Sequence, residues 1–144
     1  MQSTRRIWRA GLVGAAAAAM VNLLVLVIGW LAGVDFSLVT NGGPTQVSVT
    51  AVLLMTLVTF ALGTALAVLL ARGGAHRLHW AQLAGAAFAV LTAGAPLSFT
   101  GGSTTGVLLA LMHLVTGASY VLALQAVRSR AATTAGSPSA TARR

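Results

Sequence analysis

The chain has 144 residues, of which 57% are hydrophobic and 7% charged, and its formal net charge is +8. A soluble domain carries about a quarter charged residues, so a water-soluble globule is excluded. The positive charge does not mark a nucleic-acid binder, because the cations are scattered and form no basic stripe interleaved with aromatics. Cysteine is absent, which removes disulfides, thiolate metal sites and thiol redox chemistry. All nine cations are Arg, and Ala and Gly abound, as in a GC-rich bacterial genome.

Arg5, Arg6 and Arg9 precede the first apolar run, at about 10–33. That run is longer than the 7–15 residues of a signal-peptide core, so a retained helix is expected rather than a cleaved leader. Its small residues Ala15, Ala18, Gly29 and Gly33 form a stripe with Asn22 at its middle, and Gly29 and Gly33 have GxxxG spacing. Asn22 lies eleven residues from the expected outer end, roughly 16 Å deep. Asp35, the only acidic residue, follows a helix C-terminus, where the macrodipole disfavours an anion. It is read as a solvated turn residue bonding the Ser37 backbone N–H, or as a site for a cation, a proton or a partner's basic group.

Asn41-Gly42-Gly43-Pro44-Thr45 leads into a second span at about 47–71, which carries Thr56, Thr59, Gly63, Ala67 and Ala71. Arg72, Gly73, Gly74 and Arg77 connect it to a third span at about 78–97, with Ala81, Gly85, Ala89, Thr92, Ala93 and a Pro96 that ends or kinks it. Thr100-Gly101-Gly102-Ser103-Thr104 resembles the earlier loop; a duplicated hairpin or the common demands of a turn before a helix would both produce it. The fourth span, about 106–127, places His113, Thr116, Gly117 and Tyr120 on one face. His113 lies about 10 Å inside it. Arg128, Arg130, Arg143 and Arg144 follow, within a polar tail over 129–144 that is expected to be disordered.

Each span suits the ~20 residues needed to cross a bilayer. Every Arg falls where the spans place it on one side, which predicts both termini in the cytoplasm. The expected fold is therefore all-α: a four-transmembrane-helix bundle over 1–128 in the cell membrane, with short loops. Trp8, Trp30 and Trp80 sit near the expected interfaces.

Lipid offers no hydrophobic drive for helix association, so packing should rest on small residues, chiefly Gly29, Gly33, Gly63, Gly85 and Gly117. These serve equally for a homo-oligomer or another membrane partner. Gly11, near a helix end, is expected to matter less than Gly117. The polar candidates are His113, Asp35, Asn22, Tyr120, Thr56 and Thr59. His113, ionisable within a span, should face the bundle interior, with Asn22, Thr56, Thr59 or Thr92 supplying its hydrogen bond. It is either a neutral register-fixing residue or a titrating one. No catalytic set, metal site or cofactor is expected.

Leu91-Thr92-Ala93-Gly94-Ala95-Pro96-Leu97, Leu111-Met112-His113-Leu114-Val115, the Gly42-Gly43-Pro44 turn and Gln46 resemble an uncharacterised family of small four-helix membrane proteins common in actinobacteria. The resemblance covers about residues 7–128. It implies a fold and a membrane location, draws notice to His113, and brings no activity.

Three functions compete: a non-enzymatic packing, accessory or oligomeric membrane protein, a small transporter or proton-linked carrier using His113, and a membrane enzyme using His113 and Tyr120 on a lipid or isoprenoid. A closed, dry bundle would favour the first. A water path to His113 from both sides would favour the second. A lipid-like pocket beside His113 would favour the third.

Overall fold

A computed structural model describes residues 2–40, 43–100 and 102–135. Among the described residues, four helices are long and apolar enough to cross a membrane: α1 (Gln2–Leu31), α2 (Val49–Ala71), α3 (Leu78–Phe99) and α4 (Thr104–Ala135). Their alternating directions gather the α1 start, the α2–α3 connection and the α4 end at one pole, called here the Arg end. The other pole carries a β-hairpin, β1 (Ser37–Thr40) with β2 (Gly43–Gln46).

The hairpin departs from the expected plain loop. Its strands are antiparallel, with Ser37 opposite Gln46 and Thr40 opposite Gly43. Thr40 and Gly43 are separated in sequence by Asn41 and Gly42, the pair that two-residue hairpin links favour; both lie outside the described residues. Phe36 anchors the base. It is buried, meets Trp30 edge-on at 6.4 Å, and its carbonyl accepts from Val47 N–H at 2.8 Å. Thr105 on α4 donates to the Asp35 carbonyl at 2.7 Å, tying the hairpin to the bundle. The Gly101 loop forms no strand among its described residues, so the likeness of the two connections is one of composition.

Helix ends follow local chemistry. Ser48 caps α2 by accepting from Ala51 N–H at 3.1 Å. Gly33 has φ of +77°, and the Gly33→Trp30 and Val34→Gly29 backbone bonds make a Schellman closure of α1. Gly33 therefore stops a helix instead of packing one, and nothing lies within 4 Å of where its Cβ would be. The GxxxG reading of Gly29 and Gly33 fails at its second member. α3 continues one turn past Pro96, whose missing N–H forfeits only one helical bond. α4 extends through 129–135, the start of the expected tail, because Ala and Arg propagate a helix once it is nucleated. Residues 136–144 lie outside the described residues.

α1 packs along α2 and α4, and α4 packs along α3, while α2 and α3 meet sparingly. Small residues decide where backbones approach. A Cβ on Gly117 would collide with Ala89, and one on Gly29 with the Phe36 ring. Gly63 on α2 and Gly85 on α3 both cradle the ring of Tyr120. Gly11, expected to be peripheral, is itself pressed against Thr64; α1 extends a further turn and more towards the Arg end than expected, which places Gly11 inside the packed region. Below Tyr120, Ala67, Leu78, Ala81 and Leu124 complete a buried cluster.

Candidate functional site

α2 and α3 converge at the Arg end and splay towards the hairpin. The gap between them is a cleft of about 820 Å³. Tyr120 closes its inner end, while Leu38 and Val47 border its hairpin end. Met55 and Leu62 on α2 and Phe88 and Phe99 on α3 line it and are mostly exposed. The opening therefore faces sideways, where a bilayer would lie. The walls are largely apolar, and among the described residues no Arg or Asp lines it.

Its polar side is built on Asn22, 1% exposed. Asn22 Nδ2 donates to Thr56 Oγ1 at 3.1 Å and to Thr116 Oγ1 at 3.0 Å, joining α1, α2 and α4. The Thr116 hydroxyl donates its hydrogen to the Met112 carbonyl at 2.8 Å. Only a donor can face that oxygen from Asn22, which fixes the amide orientation. Asn22 Oδ1 is left buried without a partner among the described residues. Such an orphan is uncommon in a native fold.

His113 also lines the cleft and is half-buried. Its Nδ1 lies 2.8 Å from the Leu109 carbonyl one turn back. A carbonyl cannot donate, so Nδ1 carries hydrogen, and Nε2 is an acceptor in the neutral ring. The expected bond to Asn22 or a Thr is not made. Asn22 is engaged by Thr56 and Thr116, and Thr92 donates back to Phe88 and Ala89 carbonyls of its own helix at 2.7 and 3.3 Å. Thr59 lines the cleft, half-buried.

Tyr120 is a packing element. Its hydroxyl donates to the Gly63 carbonyl at 2.7 Å, and its ring meets Phe60 edge-on at 6.0 Å. Asp35 stands apart from the cleft, exposed at the base of the hairpin between α1 and β1. Ser37 Oγ donates to Oδ2 at 2.9 Å and Gln46 Nε2 to Oδ1 at 3.2 Å. The sequence had pointed to the Ser37 backbone; the side chain does the work.

This chain belongs to a family of unknown function, DUF6069, whose match spans residues 2–130. No curated protein and no solved structure matches it.

A polar cluster near the Arg end escaped the sequence reading. Buried Gln82 on α3 donates to the Val121 carbonyl at 3.0 Å and to Gln125 Oε1 at 3.3 Å. Arg128 donates to Gln82 Oε1. A glutamine one turn inside a span, opposite Gln125 and Arg128 at i and i+3, was the available signal.

Proposed function

We propose that this is a non-enzymatic protein of the cell membrane that holds one amphiphilic, lipid-like molecule in the lateral cleft. The observation that carries the reading is the cleft itself, apolar along its walls and polar at Asn22, Thr56, Thr116 and His113. Its volume falls within the ~300–1,000 Å³ of small-molecule sites. A closed bundle acting through packing alone would leave no such space.

The lipid-enzyme alternative asked for His113 and Tyr120 as an acid and base pair. General acid–base work needs both groups free to exchange protons with a substrate. The Tyr120 hydroxyl is committed to Gly63, which supports binding over catalysis. A carrier mechanism would need access to His113 from the Arg end, and Tyr120 stands across that route.

Orientation belongs to the same proposal. Arg5, Arg6, Arg9, Arg72, Arg77, Arg128 and Arg130 share one pole, which supports cytoplasmic termini. Reporter fusions after Gly74 are expected to read cytoplasmic, and fusions after Thr45 and Gly102 external.

The binding test uses a diazirine-bearing hydrocarbon chain in vesicles containing the full protein. Adducts are expected to saturate and to concentrate on Thr59, Phe88 and Thr92. Even, unsaturable labelling that treats Leu24 and Leu31 on the outer surface alike with the cleft would overturn the reading.

A further inference from the structure

We infer that the cleft selects a neutral, apolar alcohol whose hydroxyl donates to Asn22 Oδ1. This rests on the cleft being a ligand site and names the chemistry of its occupant. Asn22 and His113 line the cleft, and each carries a lone pair without a described partner: Asn22 Oδ1, which is buried so that a hydroxyl must displace neighbouring side chains to reach it, and, in the neutral ring, His113 Nε2. A hydroxyl supplies the missing hydrogen. A ketone, an ether or an ester brings only further acceptors and cannot pair Asn22 Oδ1, whereas an alcohol's one hydrogen can.

Charge narrows the class further. A carboxylate or phosphate head would need a cation, and among the described residues no Arg lines the cleft. An ammonium head would need an anion within the membrane, where an unpaired charge is costly. The one carboxylate side chain, Asp35, is exposed at the base of the hairpin and already accepts from Ser37 and Gln46. A hydroxyl donates without carrying charge.

The route of entry follows from the walls. Met55 and Leu62 face Phe88 and Phe99 across a side opening, so the molecule comes from the bilayer. Its chain lies between α2 and α3, with the hydroxyl directed at the Asn22 layer. Single-chain alcohols and diacylglycerols share this chemistry.

The test is displacement of the diazirine hydrocarbon probe from the full protein in phosphatidylcholine vesicles. Competitors are cetyl alcohol, cetyl methyl ether, hexadecane, palmitic acid and dioleoylglycerol. An alcohol is expected to displace at about tenfold lower concentration than the ether, the gain of one hydrogen bond to a buried acceptor. Cetyl alcohol against dioleoylglycerol tells which source of the hydroxyl fits, and either supports the inference. Asn22→Leu is expected to reduce the alcohol to the level of the ether while hexadecane is unchanged. The ratio is read first on the unmodified protein, so a misfolded variant does not remove the test. Equal displacement by alcohol and ether, or stronger displacement by palmitic acid, overturns the alcohol assignment and leaves the cleft standing. Unsaturable labelling overturns the cleft and the assignment with it.

Discussion

The two ends of this bundle are built from the same helices and obey opposite rules. Towards the Arg end, α2 and α3 present Gly63, Ala67, Ala81 and Gly85, and the Tyr120 ring fills the space between the glycines. Towards the hairpin, the same helices present Met55, Thr59, Phe88 and Phe99, and they stand apart around the cleft. Without a hydrophobic drive between helices in lipid, backbones close only where side chains are small. The cleft reaches inward as far as Gly63 and Gly85, where the Tyr120 ring fills the space, and its bulky residues Met55, Phe88 and Phe99 are mostly exposed at its rim. The closed end holds the bundle, and the open end is free to hold something else.

Gly85→Leu is the strongest way to break this contrast. It drives a side chain into the Tyr120 ring, and with it into the Phe60 contact and the Gly63 bond. Overpacking a filled site typically costs up to about 3 kcal/mol. The same substitution at Gly94, on α3 at the hairpin end, meets nothing within 4 Å and is expected to leave stability nearly unchanged. Thermal unfolding in detergent reads both. Equal losses would mean that the closed and open ends are not distinct.

Much of the closed end could be read from the chain and most of the open end could not. Span positions follow from hydropathy, and Gly63, Gly85 and Gly117 stand out because nothing else lets backbones approach. The partners of a glycine are not written in its own helix. Gly29 and Gly33 have the spacing of a packing pair, yet Gly33 takes φ of +77° and terminates α1. The cleft depends on which helices pair, a property of all four together. His113 drew notice as the ionisable group in a span, while the wholly buried layer is Asn22 with Thr56 and Thr116. A neutral amide joins three helices because it offers two donors from one atom; an imidazole, with its Nδ1 bound to its own helix, cannot. The Asn41-Gly42 pair has the composition of a two-residue hairpin link, a composition that a plain loop before a helix shares.

Asn22→Leu sharpens the role of that layer. Two interhelical hydrogen bonds disappear, and each contributes between about 0.6 and 1.7 kcal/mol in membranes. A loss of about 1–2 kcal/mol is expected, because the removed orphan acceptor offsets part of the deficit. Denaturant titration in mixed micelles measures it. A variant as stable as the parent would show that the layer orders nothing.

Tyr120→Phe separates the ring of Tyr120 from its hydroxyl. The ring keeps its place between Gly63 and Gly85, so packing at the closed end survives. What disappears is one bond to the Gly63 carbonyl, worth about 1 kcal/mol. Saturable probe labelling of the cleft is expected to persist, since the hydroxyl belongs to the closed end. Loss of labelling with retained stability would return Tyr120 to the site and revive its pairing with His113.

His113→Gln should have the smallest effect on folding, and the reason lies in where its hydrogen bond goes. The ring bonds the Leu109 carbonyl of its own helix, so it joins no second helix and fixes no register. That carbonyl is four residues back, where α4 already supplies an amide donor at residue 113, so its loss leaves no orphan. A glutamine amide is long enough to reach the cleft and carries both a donor and an acceptor. Stability is expected to change by less than about 0.5 kcal/mol, the ordinary range for a substitution away from packed or paired features. The cleft should respond instead. Glutamine can turn its donor inward, so the preference for alcohol over ether is expected to weaken while hexadecane displacement stays the same. A large loss of stability with unchanged ligand preference would move His113 from the open end of this comparison to the structural one.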